Sequence, residues 1–388
     1  MQNSIDTLLQ GAVDRGDVPG VAAMVVNGQD TLYQGAFGER ALGGGDAMTL
    51  DTVVAIHSMT KAVAAAAVMQ LVEKGQLSLD EPAAQVLPFL GEVEVLDGFA
   101  DNGAPILRAP KTAITLRHLL THTAGFGYEM WNQEYLDYVA ATGALSVLSR
   151  KKASLQIPLL FDPGSRWNYG INIDWAGFML EEVTGLTLGD YMQANIFEPL
   201  GMTSTAFKVS AEMATRQARL HMRGEDGSLS LPETTAASAE PDFDAGGGGL
   251  SSTVQDYARF TQMILNKGAH EGRQILAPET VAMMSANQMG DTRVQKMKTF
   301  MPPLSNDAEF FPGVEKAWGL SFMINLTQAP TGRSPGSLSW AGLGNSYFWI
   351  DPARDIAGIY TTQLFPFCDE KSLPLFLDFE TAAYDGIA

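Results

Sequence analysis

The sequence predicts an α+β fold in which both ends of the chain build one antiparallel sheet flanked by helices, while the middle forms a mainly helical lobe. Three observations carry this expectation. A helix-then-hairpin signal opens the chain, strand-like segments gather toward its end, and helical segments with long loops fill the stretch between. The expected layout is a discontinuous α/β lobe over roughly 1–75 and 246–388 and a helical lobe over roughly 76–245, with an active site in the groove between them.

Each element follows from local chemistry. The opening residues MQNSIDTLLQGAVDRGD read as a short amphipathic helix, with early acids and no apolar h-region of a signal peptide. Val21 to Val26 is a Val/Ala-rich strand. Asn27-Gly28 then precedes Thr31-Leu32-Tyr33, a hairpin signal because both turn residues accept positive φ. The stretch 58–74 is apolar nearly all round and Gly75 ends it, which describes a helix buried on most sides. Short helices are expected at 115–122 and 174–184, and Gly246 to Gly249 reads as a flexible, hinge-like run. Thr253-Val-Gln-Asp256 resembles a capping box that opens a helix running to Gly268. Strands are expected at 318–325, 337–340, 347–350 and 356–361, with Asp351-Pro352 starting the last turn and a helix at 373–384 closing the chain.

Composition narrows the function classes. Of 388 residues 46% are apolar and 18% charged, a globular profile. No run of about 18 apolar residues exists, so no membrane span is read. The net charge of −19 repels phosphate backbones and anionic headgroups, which argues against nucleic acid as a partner. Cys368 is the single cysteine and cannot form an intrachain disulfide; with no leader read, a cytoplasmic protein is expected. The sequence leaves a homo-oligomer open.

The chemistry-bearing segments are three. Ser58-Met59-Thr60-Lys61 has the S-x-x-K spacing, at the start of a buried helix where free amides and the dipole favour negative charge on an attacking oxygen. Lys61 shares a face with Ser58, and poor solvation there would let it accept a proton. A second copy, Ser149-Arg150-Lys151-Lys152, lacks a buried helix and reads as a solvated surface turn. Tyr169-Gly170-Ile171-Asn172-Ile173-Asp174 supplies a tyrosine able to shuttle a proton. Trp340-Ala341-Gly342-Leu343-Gly344-Asn345 is a glycine-rich strand end, suited to an oxyanion hole built from N–H groups.

With Leu116-Arg-His-Leu-Leu-Thr-His-Thr-Ala-Gly125 and Gly246-Gly-Gly-Gly-Leu-Ser-Ser-Thr253, these segments resemble the class C β-lactamase and penicillin-binding protein superfamily. The likeness is nearest to its family VIII carboxylesterases. It spans nearly the whole chain, in the family's order. The resemblance implies a β-lactamase/transpeptidase-like fold, acylation of Ser58, Lys61 and Tyr169 acting together as base, and an oxyanion hole from the amides of Ser58 and Leu343. Trp340, Gly342, Tyr128, Asn172 and Asp174 are the residues expected to contact a small-molecule ester. No cofactor or metal is implied. Two departures favour esterase over lactamase. Trp340-Ala341-Gly342 stands where the lactamases have Lys-Thr-Gly, removing the cation that holds the lactam carboxylate. Ile171 stands at the Asn position of Tyr-x-Asn.

Other patterns are set aside. Gly332-Arg333-Ser334-Pro335-Gly336 matches a nucleophile elbow but runs from strand to strand, with no later histidine. His118 and His122 have zinc-pair spacing without a glutamate or cysteine beside them, so a backbone-bonding role is expected. His57 is left out of the mechanism. The Met-rich segment 283–311 is weighed as a lid or acyl pocket against a packed loop, with Phe126, Tyr128 and Trp131 opposite it. The leading expectation is a carboxylesterase for short to medium acyl esters. The alternatives are a β-lactamase, D-amino-acid peptidase or amidase using the same site, and a non-catalytic ligand-binding relative.

Overall fold

A computed structural model describes residues 1–233 and 241–387. Its centre is a seven-stranded antiparallel sheet. The strands are β1 (Gly20–Val26), β2 (Thr31–Gly38), β3 (Lys316–Trp318), β4 (Met323–Asn325), β5 (Leu338–Gly342), β6 (Ser346–Asp351) and β7 (Ile356–Thr361). Their order is β3-β4-β5-β6-β7-β1-β2, so the last strand in sequence pairs with the first. Ala22 faces Thr361 and Val26 faces Ala357 in that joint.

Helices cover both faces. Successive residues of a strand point to opposite sides, and β6 shows what each side meets. The Tyr347 ring stacks on Phe376 of α6 (Ser372–Asp385) at 4.6 Å. The Phe348 ring meets Tyr257 of α5 (Val254–Leu265) at 5.1 Å. Burial on both faces explains why β1, β6 and β7 read as continuous apolar runs without alternation. The opening helix α1 (Gln2–Asp14) lies beside α6, with Ile5, Leu9 and Ala12 inward. The helix α2 (Thr60–Glu73) is buried from Thr60 through Leu71 and packs on α4 (Asn172–Thr184), while α3 (Leu116–Leu120) packs on α4 as well.

Local expectations meet several corrections. The 27–30 turn forms, but neither Asn27 nor Gly28 adopts positive φ. Instead the Asn27 side chain accepts from the amides of Gln29 and Asp30, at 2.9 and 2.6 Å. The run 318–325 is two strands, because Ser321 turns the chain at φ +75° and donates its amide to the Leu120 carbonyl. The middle of the chain holds strands as well as helices: Val95–Phe99 pairs with Pro105–Arg108, and His221–Arg223 pairs with Leu229–Ser230 and Leu364–Phe365. Only half of the capping box forms. Thr253 accepts from the Asp256 amide, whereas the Asp256 carboxylate takes the Ser204 amide and the Thr205 hydroxyl.

The elbow-like pentapeptide is a loop between β4 and β5. Arg333 within it is 2% exposed and pairs with Glu380 of α6, which is 0% exposed; Arg333 Nε lies 2.8 Å from Glu380 Oε1. Removing one partner of such a pair strands a buried charge. Glu380→Ala is therefore expected to cost about 3–5 kcal/mol, read as a lower urea midpoint at unchanged slope.

Candidate active site

Ser58 sits in a 3₁₀ turn, His57–Met59, that feeds α2. The turn is tightly placed. His57 adopts φ +44°, and a Cβ at Gly342 would lie 2.3 Å from the Ile56 carbonyl oxygen. Only glycine lets β5 approach the nucleophile segment this closely. Leu343 follows at the strand end, and Ser58 and Leu343 both border one cavity of about 1300 Å³.

Lys61, one helical turn on, is 0% exposed. Its Nζ lies 3.3 Å from Ser58 Oγ, 3.0 Å from Tyr128 Oη and 2.5 Å from the Gly247 carbonyl oxygen. It also sits 4.6 Å above the centroid of the Tyr169 ring. Burial drives the Lys61 pKa down to about 7, and the Asp174 carboxylate opposes that shift. A neutral amine has two protons to give and one lone pair. In the charged form its three protons reach all three oxygens; in the neutral form two protons can stay on Gly247 and Tyr128 while the lone pair takes the Ser58 hydroxyl proton.

Asp174 is 5% exposed, and Oδ1 accepts the Gly247 amide at 2.8 Å. Burial raises its pKa, against the pull of Lys61 and that hydrogen bond. A Cβ on residue 247 would meet Asp174 Oδ2 at 2.4 Å. The glycine run is thus clamped between Asp174 and Lys61 and is not a hinge.

Tyr169 is 2% exposed, and its hydroxyl accepts the Trp340 indole N–H at 2.8 Å. Burial pushes its pKa up, while hydrogen bonds with Ser58 and Trp340 pull it down; the net shift is upward. Its ring lies against His122 at 4.6 Å, Trp340 at 4.7 Å and Trp131 at 5.6 Å. His122 stays neutral, held well below the usual histidine range by burial and by Lys61. His122 Nδ1 lies 2.9 Å from Asn172 Nδ2 and 3.4 Å from the Gly170 amide. His118 turns the other way and caps α3 through the Thr115 amide.

Ser58, Lys61 and Tyr169 therefore converge. Of the five residues expected to touch substrate, Tyr128 and Asp174 line the cavity. Trp340, Gly342 and Asn172, like Lys61 and Tyr169 themselves, do not border it directly. Trp340 holds the Tyr169 hydroxyl, Gly342 packs on Ile56, and Asn172 turns to His122. Ile171 is the lining residue beside Asn172. Phe126 is wholly buried against Trp175 and does not reach the groove. From the Met-rich segment, Leu304 is the lining residue among those described, and none of its methionines borders the cavity. The Ser149 turn is a surface turn only in part: Lys152 is exposed, whereas Ser149 Oγ is enclosed and Arg150 lines the cavity.

Among the lining residues that sequence reasoning left out of the site are His57, whose burial and proximity to Arg150 lower its pKa to about 4, and Gln363. The direct succession of His57 and Ser58 was a signal for the first. None marked the second.

The chain belongs to the beta-lactamase family, whose model matches residues 5–378, and it is an enzyme of the serine hydrolase and acyltransferase kind. It is 31% identical to the monacolin J acid methylbutanoyltransferase of Aspergillus terreus, over 98% of this chain and 95% of that protein. It is 29% identical to the lovastatin esterase of Penicillium rubens, over 92% of each. Among solved structures it resembles a simvastatin synthase mutant from Aspergillus terreus, with a TM-score of 0.85, 29% identity, and coverage of 99% and 94%. Among the described residues no helix is long and apolar enough to cross a membrane.

Proposed function

We propose that this protein is a serine carboxylesterase acting on short to medium acyl esters in the cytoplasm. One observation carries the reading: Ser58 Oγ stands 3.3 Å from the amine of a fully buried lysine whose charged form is disfavoured. Ser58 attacks the ester carbonyl as its hydroxyl proton passes to Lys61 Nζ. The amides of Ser58 and Leu343 hold the oxyanion. Collapse expels the alcohol, which takes a proton delivered through Tyr169, and leaves the acyl group on Ser58. Water then attacks the acyl-enzyme and gives up a proton to the same Lys61–Tyr169 pair, which returns it to Ser58 Oγ as the C–O bond to the enzyme breaks and the acid leaves. Between the two, Lys61 suits the base in the resting enzyme, because burial lowers its pKa and raises that of Tyr169.

Trp340 supports ester over lactam. It occupies the strand position at which a cation would bind a lactam carboxylate, and its indole is committed to Tyr169. A second reading, acyl transfer to an alcohol in place of water, is favoured by the cavity. About 1300 Å³ is ample for a bulky acceptor beside a short acyl chain, and a 31% identical relative is named a methylbutanoyltransferase.

The test sets p-nitrophenyl butyrate against a chromogenic cephalosporin. The expected result is a kcat/KM for the ester at least about 100-fold above that for the lactam, as expected where a fixed charge partner is missing. Equal rates, or a faster lactam, would sink the esterase reading. Repeating the ester assay with a bulky secondary alcohol decides between water and alcohol: a new ester product identifies transfer.

A further inference from the structure

The two stretches of chain that carry the proposed oxyanion donors are tied together at one dipeptide, Gln363-Leu364, through the Gln363 side chain on one side and the Leu364 amide on the other. Gln363 follows β7, is 4% exposed, and lines the cavity. Its amide pairs with both backbone groups of Ala55, three residues before Ser58. Gln363 Oε1 accepts the Ala55 amide at 3.1 Å, and Nε2 donates to the Ala55 carbonyl at 3.0 Å. This imitates the pairing of a neighbouring strand. Nε2 also donates to the Thr362 carbonyl at 2.7 Å, which fixes the direction of the side chain.

On the other side, the next residue donates its amide to the oxyanion strand: Leu364 N lies 3.2 Å from the Gly344 carbonyl oxygen, directly after Leu343. A Cβ at Gly344 would come within 3.1 Å of Gln363 Nε2, so the amide lies against this strand end as well. Asn345, fully buried, donates to the Leu364 and Pro366 carbonyls at 2.7 Å each, which anchors the same corner.

We propose that Gln363 is a positioning residue for the oxyanion hole: its amide clamp on Ala55 sets the Ser58 amide at a fixed distance from the Leu343 amide. This rests on the reading of Ser58 as nucleophile. Oxyanion donors act through preorganisation, so a small displacement weakens transition-state binding more than ground-state binding.

The test is Gln363→Met, of similar length without the amide, together with Gln363→Glu, which keeps an acceptor for the Ala55 N–H but loses the donor to its carbonyl. Active sites are counted by complete labelling with a fluorophosphonate, so unfolded protein does not enter. The expected result is a kcat per site about 10–100-fold lower in Gln363→Met, the penalty of a displacement near 1 Å. The Glu variant falls between it and wild type. KM for p-nitrophenyl butyrate stays within about twofold, and the inhibition constant of an alkyl trifluoromethyl ketone rises by the same factor as kcat falls. A merely structural role would lower the number of active sites and leave both per-site quantities unchanged. That outcome overturns the proposal, read from the Glu variant if the Met variant does not fold. Ser58→Ala run alongside separates the two levels. If it retains turnover, the nucleophile reading falls. If it is inert while Gln363→Met is unimpaired, the clamp alone falls.

Discussion

Ser58→Ala is expected to lose about a thousandfold or more in kcat on p-nitrophenyl butyrate, the scale of removing a triad-type nucleophile. The residual rate would come from the oxyanion donors and substrate binding. The change should be nearly silent in stability. Ser58 is partly exposed and gives up contacts with Lys61 and Tyr169, each of which keeps another partner in Gly247 or Trp340. A shift of about 1 kcal/mol or less is therefore expected. Thermal melts of both proteins, with active-site labelling by a fluorophosphonate, separate lost chemistry from lost fold. Unchanged turnover in a folded, unlabelled Ser58→Ala would move the nucleophile elsewhere. Ser149 would then be the first residue to examine, since its hydroxyl is enclosed and Arg150 beside it lines the cavity.

The sequence revealed those parts of the site whose geometry is local. Ser58 and Lys61 are three residues apart at a helix start, and helical spacing alone places their side chains together. The sheet was legible for a similar reason: 356–361 was expected as a strand, and β7 is Ile356–Thr361. Contacts that close across the chain left no local trace. Trp340 and Tyr169 are 171 residues apart, and Lys61 and Gly247 are 186 apart. The glycine run looked flexible because composition reports what a backbone can do, not what Asp174 and Lys61 make it do. Asn172 faces His122, while Ile171 beside it lines the cavity, because one residue of helical advance rotates a side chain by about 100°, a direction that spacing from Tyr169 alone does not reveal. The pair Val95–Phe99 and Pro105–Arg108 was missed because its outward residues, Ile106 and Leu107 among them, leave no polar–apolar alternation to read.

The pH dependence should report Lys61. To accept the Ser58 proton, Lys61 must be neutral, and burial lowers its pKa to about 7. Below that pH the amine is charged and kcat/KM falls about tenfold per unit; above it the profile is flat. No histidine or tyrosine nearby competes for the assignment, and the Asp174 carboxyl, itself raised by burial, is the one neighbour to be separated from Lys61 among the described residues. His57 is depressed to about 4 and His122 lies well below the usual histidine range, so both are already neutral. Tyr128 and Tyr169 are pushed upward and stay protonated. Asp174 sets the sign of a second test. Its carboxylate favours the charged lysine, so Asp174→Asn should move the inflection to lower pH. Lys61→Arg should lose about a thousandfold, because a guanidinium does not give up its proton in this range and cannot serve as base. A wild-type profile flat between about pH 5.5 and 8.5, or an active Lys61→Arg, would remove Lys61 from the proton path and return that role to Tyr169. An inflection that rises in Asp174→Asn would mean that the titrating group is not a cation facing Asp174.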